Sequence, residues 1–475
     1  MRIAEPIDTS GFFWLPGDPQ TLSPGVLRIS QLGDVTLELM RPFGDPVSGD
    51  PRTDVDLELS WGQRWDDPER ILGLVERHGY VTLEHCLRTG GILTFGGGLT
   101  KGTFRPALAF LGLGQDEAIH FQDFRFTVEG LSQWLGRSGI RNEQSYDTNT
   151  GAIHYSLPDS IVVTLAEDLD LQFDFGIEFP TVSVFDIEAT VKQTSSVALH
   201  SSSPKPFEYF SAIATQVSHF LAFSMDRPLA INSFTGYVEV EREDGRVKKA
   251  IEIYGNVGPR GREGVSTRPY QPLFSNRNIA DYLEVILQAW LENADESSNA
   301  FNLYFASWSE GIQYIDVRLL WMAQALESLH RASSQRTRMP APEFSDMMAR
   351  VLEAVPEEHV HLVEEKLQYA NEPNLRERIG DLLQPVEGWI GDRKSRKLFI
   401  NQFIQTRNYL THYDKDSTPL RAEEPQEMLQ LYEKLAGIIQ LIILRRTGFD
   451  TEQIDRIVQE NSNLRTRLGL GTSSD

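Results

Sequence analysis

The run Arg407-Asn408-Tyr409-Leu410-Thr411-His412 holds the residue types best suited to chemistry on a phosphodiester. Arginine stays cationic at any physiological pH, and histidine titrates near neutrality. One can neutralise phosphate charge while the other moves protons. The spacing alone carries little weight. Ten histidines predict roughly two Arg-x4–6-His pairs by chance, and only this one occurs. Its meaning depends on the elements that hold it.

Arg393 to Tyr413 reads as one long amphipathic helix. Its apolar residues Leu398, Ile400, Phe403, Ile404 and Leu410 leave a polar side for Arg407, Asn408 and His412. Asn408 and His412 are four apart and so share a face. Arg407 and His412 stand about 140° apart on an ideal helix. They converge better if the helix loosens at Thr411, and residues 414–419 read as its end. One helix length upstream, Arg393, Lys394, Arg396 and Lys397 form a basic cluster, and Arg376 and Arg378 add two charges. In an acidic chain this is the best candidate track for an RNA backbone. The competing reading is a helix cap, in which Arg and His satisfy terminal carbonyls. Spacing and context leave both open.

Rival chemistries are poorly supplied. The single cysteine, Cys86, excludes an internal disulfide framework and a Cys-based zinc site, and its place in an alternating apolar run makes it a buried thiol. The other histidines lack metal-ligand spacing; His359 and His361 read as solvent-facing. No cofactor or metal is expected. Gly96-Gly97-Gly98-Leu99-Thr100-Lys101-Gly102-Thr103 lacks the Gly-Lys-Ser/Thr order of a phosphate loop and reads as a turn.

Net charge is −23, distributed as −14 over residues 1–275 and −9 over 276–475. A general nucleic-acid coat protein would be basic, so RNA handling must rest on a local basic site. No stretch is apolar enough for a signal peptide or a membrane-spanning helix, and the expectation is a cytoplasmic protein without a membrane partner.

The length of 475 residues predicts two or three domains. Residues 1–275 are β-rich: short alternating runs, clearest at Leu169 to Phe175, are punctuated by Gly, Pro and Asp. One helix interrupts them, Phe207 to Met225, bounded by Pro206 and Pro228. Past residue 275 glycine becomes scarce and helical periodicity dominates. A connecting helix is expected within 276–300, a helical bundle over 301–460 and a disordered tail over 461–475. The fold class is thus multidomain α+β: a sandwich-like β domain with one inserted helix, then an all-α bundle.

Residues 300–460 resemble the HEPN domain of ApeA-type proteins. The Arg407-Asn408 and His412 pattern fits the family's Arg-x4–6-His signature. Trp321 to Arg331 resembles the family's first long helix, whose Glu matches Glu327, and Asn371 to Ile379 resembles its short Arg-containing segment. The front half is similar to the accompanying N-terminal domain, including Gly11-Phe12-Phe13-Trp14-Leu15-Pro16 and the opening Gly25-Val26-Leu27. The resemblance implies a metal-independent endoribonuclease of abortive-infection defence against phage. It further implies a homodimer in which two such helices face each other and form one composite site. RNA, either tRNA or mRNA, is the implied substrate and DNA is not. A phage-derived trigger at the β domain is the further implied partner. The implied roles are proton transfer for His412, phosphorane stabilisation for Arg407 and orientation for Asn408. Glu327 either ion-pairs Arg407 or is structural. The alternative is a catalytically silent HEPN module for dimerisation or RNA binding under a ligand-sensing β domain. A third reading, a carbohydrate-binding β-sandwich, needs Trp14, Trp61, Trp65 and Trp134 on an exposed face.

Overall fold

The structure is a computed structural model that describes residues 1–41, 43, 67–92, 101–180, 187–242, 245–259, 271–308, 314–334, 336–413 and 418–471. Trp61, Trp65, the glycines at 96–98, and Arg260 and Arg262 lie outside the described residues. The chain divides into two compact units. One is Met1–Ala222 with Pro228–Ser266 and Ser275–Glu284; the other is Phe223–Arg227 with Thr267–Phe274 and Val285–Asp475.

The first unit is built on one large antiparallel sheet. Its first strands are β1 (Ile7–Trp14), β2 (Ser23–Ile29), β3 (Val35–Leu39), β4 (Arg70–Val75), β5 (Gly79–Ile92) and β6 (Lys101–Leu111). They run in the order β6-β3-β2-β1-β4-β5, and β5 also pairs with β6, which closes a six-stranded barrel. The sandwich-like expectation is refined accordingly. Alternation aims Phe13, Leu27, Ile29, Leu37, Leu39 and Val81 inward, where all are buried. The Phe13 ring fits because glycines face it: a Cβ on Gly73 would sit 2.5 Å from that ring, and one on Gly25 3.2 Å.

The sheet continues through β7 (His120–Val128), β10 (Ile161–Ala166), β11 (Leu169–Glu178), β12 (Lys192–Pro206), β13 (Ile231–Arg242) and β14 (Gly245–Gly255), while β8 (Ile140–Ser145) and β9 (Thr150–Tyr155) form a separate hairpin. A short helix α1 (Leu131–Leu135) buries Trp134. The inserted helix is α2 (Phe207–Ser224). Its Phe210 stacks on Phe124 of β7 at 5.0 Å, Phe207 meets the same ring at a tilt at 5.9 Å, and Phe220 meets Trp134 at 5.7 Å. The carbohydrate reading loses Trp134, which is wholly buried. The alternation at Leu169–Phe175 holds, with Leu169, Leu171, Phe173 and Phe175 buried.

The second stretch of chain is helical. α3 (Asn276–Ile279), α4 (Leu283–Glu296), α5 (Ser298–Ala306), α6 (Ile315–Ser333), α7 (Ala341–Glu353), α8 (Val360–Leu367), α9 (Leu375–Leu383), α10 (Arg393–His412), α11 (Pro425–Arg446), α12 (Thr451–Glu460) and α13 (Ser462–Leu468) follow in order. α11 is the core element of its unit: every residue from Leu435 to Leu444 is buried, the mark of a helix covered all round. α6 turns Leu319, Met322, Ala323, Leu326 and Leu329 inward.

The expected disordered tail at 461–475 is corrected over Ser462–Leu468. Asn461 caps α13 by accepting the Leu464 N–H at 2.7 Å, and Leu464 and Leu468, one turn apart, are both buried. The polar composition concealed that pair. Arg467 of α13 donates to both carboxylate oxygens of Asp226 at 2.7 Å and to Glu433 at 2.8 Å. Burial works against the Arg467 charge, but the two carboxylates outweigh it and keep the guanidinium firmly cationic.

Candidate active site

α10 begins at Asp392, whose carboxylate accepts the Ser395 N–H at 2.8 Å. The helix then buries Phe399, Phe403, Thr406 and Leu410, spaced four, three and four apart. This stripe differs in phase from the expected one: Leu398 is exposed and Thr406 occupies a core position. The hydroxyl of Thr406 explains the exchange. It donates to the Gln402 carbonyl at 2.8 Å and accepts the Ala422 N–H at 2.9 Å, which ties the chain leaving α10 back onto the helix. Gln405 accepts the Leu420 N–H at 2.7 Å in the same manner.

With that stripe inward, Arg407 lies half-buried beside α6. Its Nη2 approaches Glu327 Oε1 at 3.2 Å, and its Nη1 lies 3.4 Å from Asn408 Oδ1. Three of the four expected catalytic residues therefore form a connected group on two helices. Of the two readings left open for Glu327, the geometry supports the ion pair. His412 closes the last turn of α10 and is exposed, with no hydrogen-bond partner among the described residues. Within one chain it stays on the far side of Asn408 from Arg407, as the helical angle requires.

The cap reading has its own test in the geometry. The last turn of α10 ends when Tyr413 adopts a left-handed conformation (φ 56°) and its N–H bonds the Tyr409 carbonyl at 2.6 Å, while the Thr411 hydroxyl donates to the Arg407 carbonyl at 2.8 Å. Backbone and threonine perform the capping, so Arg407 is free for the acidic partner on α6.

The expected basic track separates into two groups. Arg393, Lys394 and Lys397 are exposed on the first turns of α10. Arg396 is committed: it bonds the carbonyls of Glu387 and Gly391 and the Glu387 carboxylate at 2.9 Å. Arg378 is corrected as a backbone contact. It is only 7% exposed, donates to the Pro373 carbonyl at 2.8 Å and pairs with Glu372, so it braces the N-terminus of α9. Arg376 reaches across to Asn401 of α10 at 2.6 Å and stays near the surface. At about 1.5 Å rise per residue, Lys397 and Arg407 lie about 15 Å apart along the helix.

Sequence reasoning passed over Tyr409, Tyr413 and Arg421. The rings of Tyr409 and Tyr413 meet edge to face at 5.7 Å, and the Arg421 guanidinium lies 4.8 Å over the Tyr409 ring. Only the i, i+4 spacing of the two tyrosines signalled this. Among the described residues, no three or more His, Cys, Asp or Glu side chains gather as metal ligands, and no helix is long and apolar enough to cross a membrane.

A barrel-plus-helix β unit followed by a helical bundle with an Arg-x4-His helix defines a two-domain architecture of HEPN type. Comparison with family models places it: ApeA N-terminal domain 1 matches residues 8–290 and Apea-like HEPN matches 320–453. The first match covers more than half of the chain, and the chain belongs to the ApeA family. It carries the domain pair of a HEPN-type defence protein, and HEPN domains are generally associated with RNA cleavage and typically dimerise. No curated protein and no solved structure matches it.

Proposed function

We propose that this protein is a metal-independent endoribonuclease of anti-phage abortive infection, active as a homodimer through its HEPN domain. The observation that carries the reading is the Glu327–Arg407–Asn408 group spanning α6 and α10, with an exposed His412 one turn past Asn408 on α10. His412 and Arg407 diverge within one chain. A second α10 facing the first supplies what one copy lacks, because the Arg407 of one protomer then stands near the His412 of the other.

The chemistry follows from these groups. A neutral His412 takes the proton from a ribose 2′-hydroxyl as that oxygen attacks phosphorus, and the protonated His412 of the facing helix gives a proton to the departing 5′-oxygen. Arg407 stabilises the charge on the phosphorane oxygens. Asn408 orients phosphate or imidazole. The products are a 2′,3′-cyclic phosphate and a 5′-hydroxyl, and DNA is refractory because it lacks the attacking group. Arg393, Lys394, Lys397 and Arg376 line a path for the RNA backbone toward the site. Arg393, Lys394 and Lys397 in the first turns of α10 oppose the helix dipole, a cost that phosphate contacts offset. A tRNA or mRNA substrate, a phage-derived trigger at the β domain and a cytoplasmic setting complete the proposal.

The test is cleavage of purified RNA with and without EDTA by wild type and by His412→Ala, with the RNA ends mapped. Cleavage that persists in EDTA and disappears in the variant supports the reading. Cleavage retained by His412→Ala sinks it. RNA binding without any cleavage by wild type favours a silent dimerisation or RNA-binding module.

A further inference from the structure

Tyr413 is an outlier of a particular kind. It is a bulky non-glycine residue in the left-handed region (φ 56°), where helix ends favour glycine. Its ring is 68% exposed. Strain and solvent-facing apolar area are both unfavourable for a residue with a purely structural role. The ring is nevertheless supported. It meets Tyr409 edge to face at 5.7 Å, and the Arg421 guanidinium lies over the Tyr409 ring at 4.8 Å. Arg421 in turn is fixed by Glu423 at 2.7 Å and by the Thr418 carbonyl at 3.1 Å. Gln405 and Thr406 hold the chain on either side of Arg421 through the Leu420 and Ala422 N–H groups. The stack Arg421–Tyr409–Tyr413 is thus built from the helix outward, and its last ring is left uncovered.

Its position is specific. Tyr409 precedes His412 by three residues and so neighbours it on the helix surface. Viewed down the helix, Asn408 and Arg407 lie to one side of His412 and Tyr409 to the other. A phosphate that touches His412 therefore has the Tyr409–Tyr413 pair on the flank away from the same chain's Arg407. Single-stranded RNA is bound in this way, by bases stacked on tyrosine rings next to phosphates held by cations.

We propose that the Tyr409–Tyr413 pair is a stacking platform for the nucleobase adjoining the scissile phosphate, with Tyr413 as the contacting ring and Tyr409 and Arg421 as positioning residues. This rests on the ribonuclease reading above and names its substrate as RNA with an unpaired, splayed base at the cleaved bond. Hydrogen bonds to base edges are not required, so the platform selects unpaired structure over sequence.

The experiment uses the full-length protein and an RNA oligonucleotide that wild type cleaves, made with an abasic ribose at each nucleotide flanking the cleaved bond in turn. One abasic position should raise KM for wild type by about 5- to 150-fold, the range of base–aromatic stacking, with kcat little changed. Tyr413→Ala should raise KM similarly on intact RNA and lose its sensitivity to the abasic position. Tyr413→Phe and Tyr413→Trp should keep it. Arg421→Gln should raise KM and weaken abasic discrimination. Tyr413→Gly should melt at a higher temperature than wild type yet bind RNA like Tyr413→Ala, a combination that a fold-stabilising tyrosine cannot give. Unchanged KM in Tyr413→Ala, or equal abasic sensitivity in wild type and variant, overturns the proposal. So does loss of activity accompanied by dissociation of the oligomer in sedimentation, which would make Tyr413 a protein contact. If wild type cleaves nothing, the ribonuclease reading fails on its own, and binding of a fluorescent RNA to Tyr413→Ala and wild type still decides the platform.

Discussion

Removing the carboxylate of Glu327 separates positioning from folding. Its contact with Arg407 is 3.2 Å, and the two side chains are 26% and 30% exposed. At that separation two unit charges attract by about 1 kcal/mol in water and by about 5 kcal/mol at an effective dielectric of 20. Solvent reaches both partners and the pairing costs side-chain entropy, so the net worth falls to about 1 kcal/mol or less, at the upper end of exposed pairs. For a unit of this size that corresponds to a shift in Tm of about 2–4 °C. Catalysis is far more sensitive, because a displacement of about 1 Å in a group that must meet a phosphorane oxygen costs about 100-fold. Glu327→Ala should therefore lower kcat for RNA cleavage by about 10- to 100-fold while Tm moves by a few degrees at most, and Glu327→Gln should recover part of the loss. Thermal unfolding by circular dichroism and single-turnover cleavage under saturating enzyme measure the two effects separately. A Glu327→Ala protein that cleaves like wild type, or one that unfolds more than about 10 °C lower, refutes the assignment of Glu327 as the residue that aims Arg407.

Asp226 is nearly buried and receives both Arg467 and Gln440. Asp226→Ala leaves Arg467 with Glu433 and Gln440 but removes its buried carboxylate partner, and should cost about 1–3 kcal/mol, read by urea unfolding; a loss below about 0.5 kcal/mol would show that the pair contributes little. Replacing Tyr413 by Gly removes about 1–2 kcal/mol of left-handed strain against about 0.5–1 kcal/mol of added chain entropy, so Tm should rise slightly. Burial pushes the Cys86 thiol up to about 12. A raised thiol pKa means less thiolate at any given pH, so native protein should react with iodoacetamide far more slowly than a free thiol at pH 9, and at the ordinary rate once unfolded in guanidinium. Gly11→Ala should break the barrel, since its Cβ would lie 2.3 Å from the Leu74 carbonyl oxygen; soluble, native-like expression of that variant would show that β1 and β4 can part.

What the sequence made legible follows from the reach of each signal. Period-two and period-3.6 patterns are local, so the strand at Leu169–Phe175, the helix between Pro206 and Pro228, and α6 and α10 stand close to where their residues indicated. Barrel closure was not legible. It depends on β6 pairing with β5 and β3 at once, a non-local choice that no window of residues records. The site divides in the same way. Arg407, Asn408 and His412 could be read from one helix, and Glu327 from the resemblance. The fates of the basic residues turned on partners elsewhere: Arg378 and Arg396 are spent on Glu372 and Glu387, while their neighbours Arg376 and Lys397 remain near solvent. Charge at a position predicts a phosphate contact only where no carboxylate has claimed it first. In a chain of net charge −23 that competition is severe, and on the proposed reading it leaves few cations for an RNA backbone. Aromatic rings face no such competition, which is why stacking beside His412 is the route we propose for so acidic a protein to hold RNA.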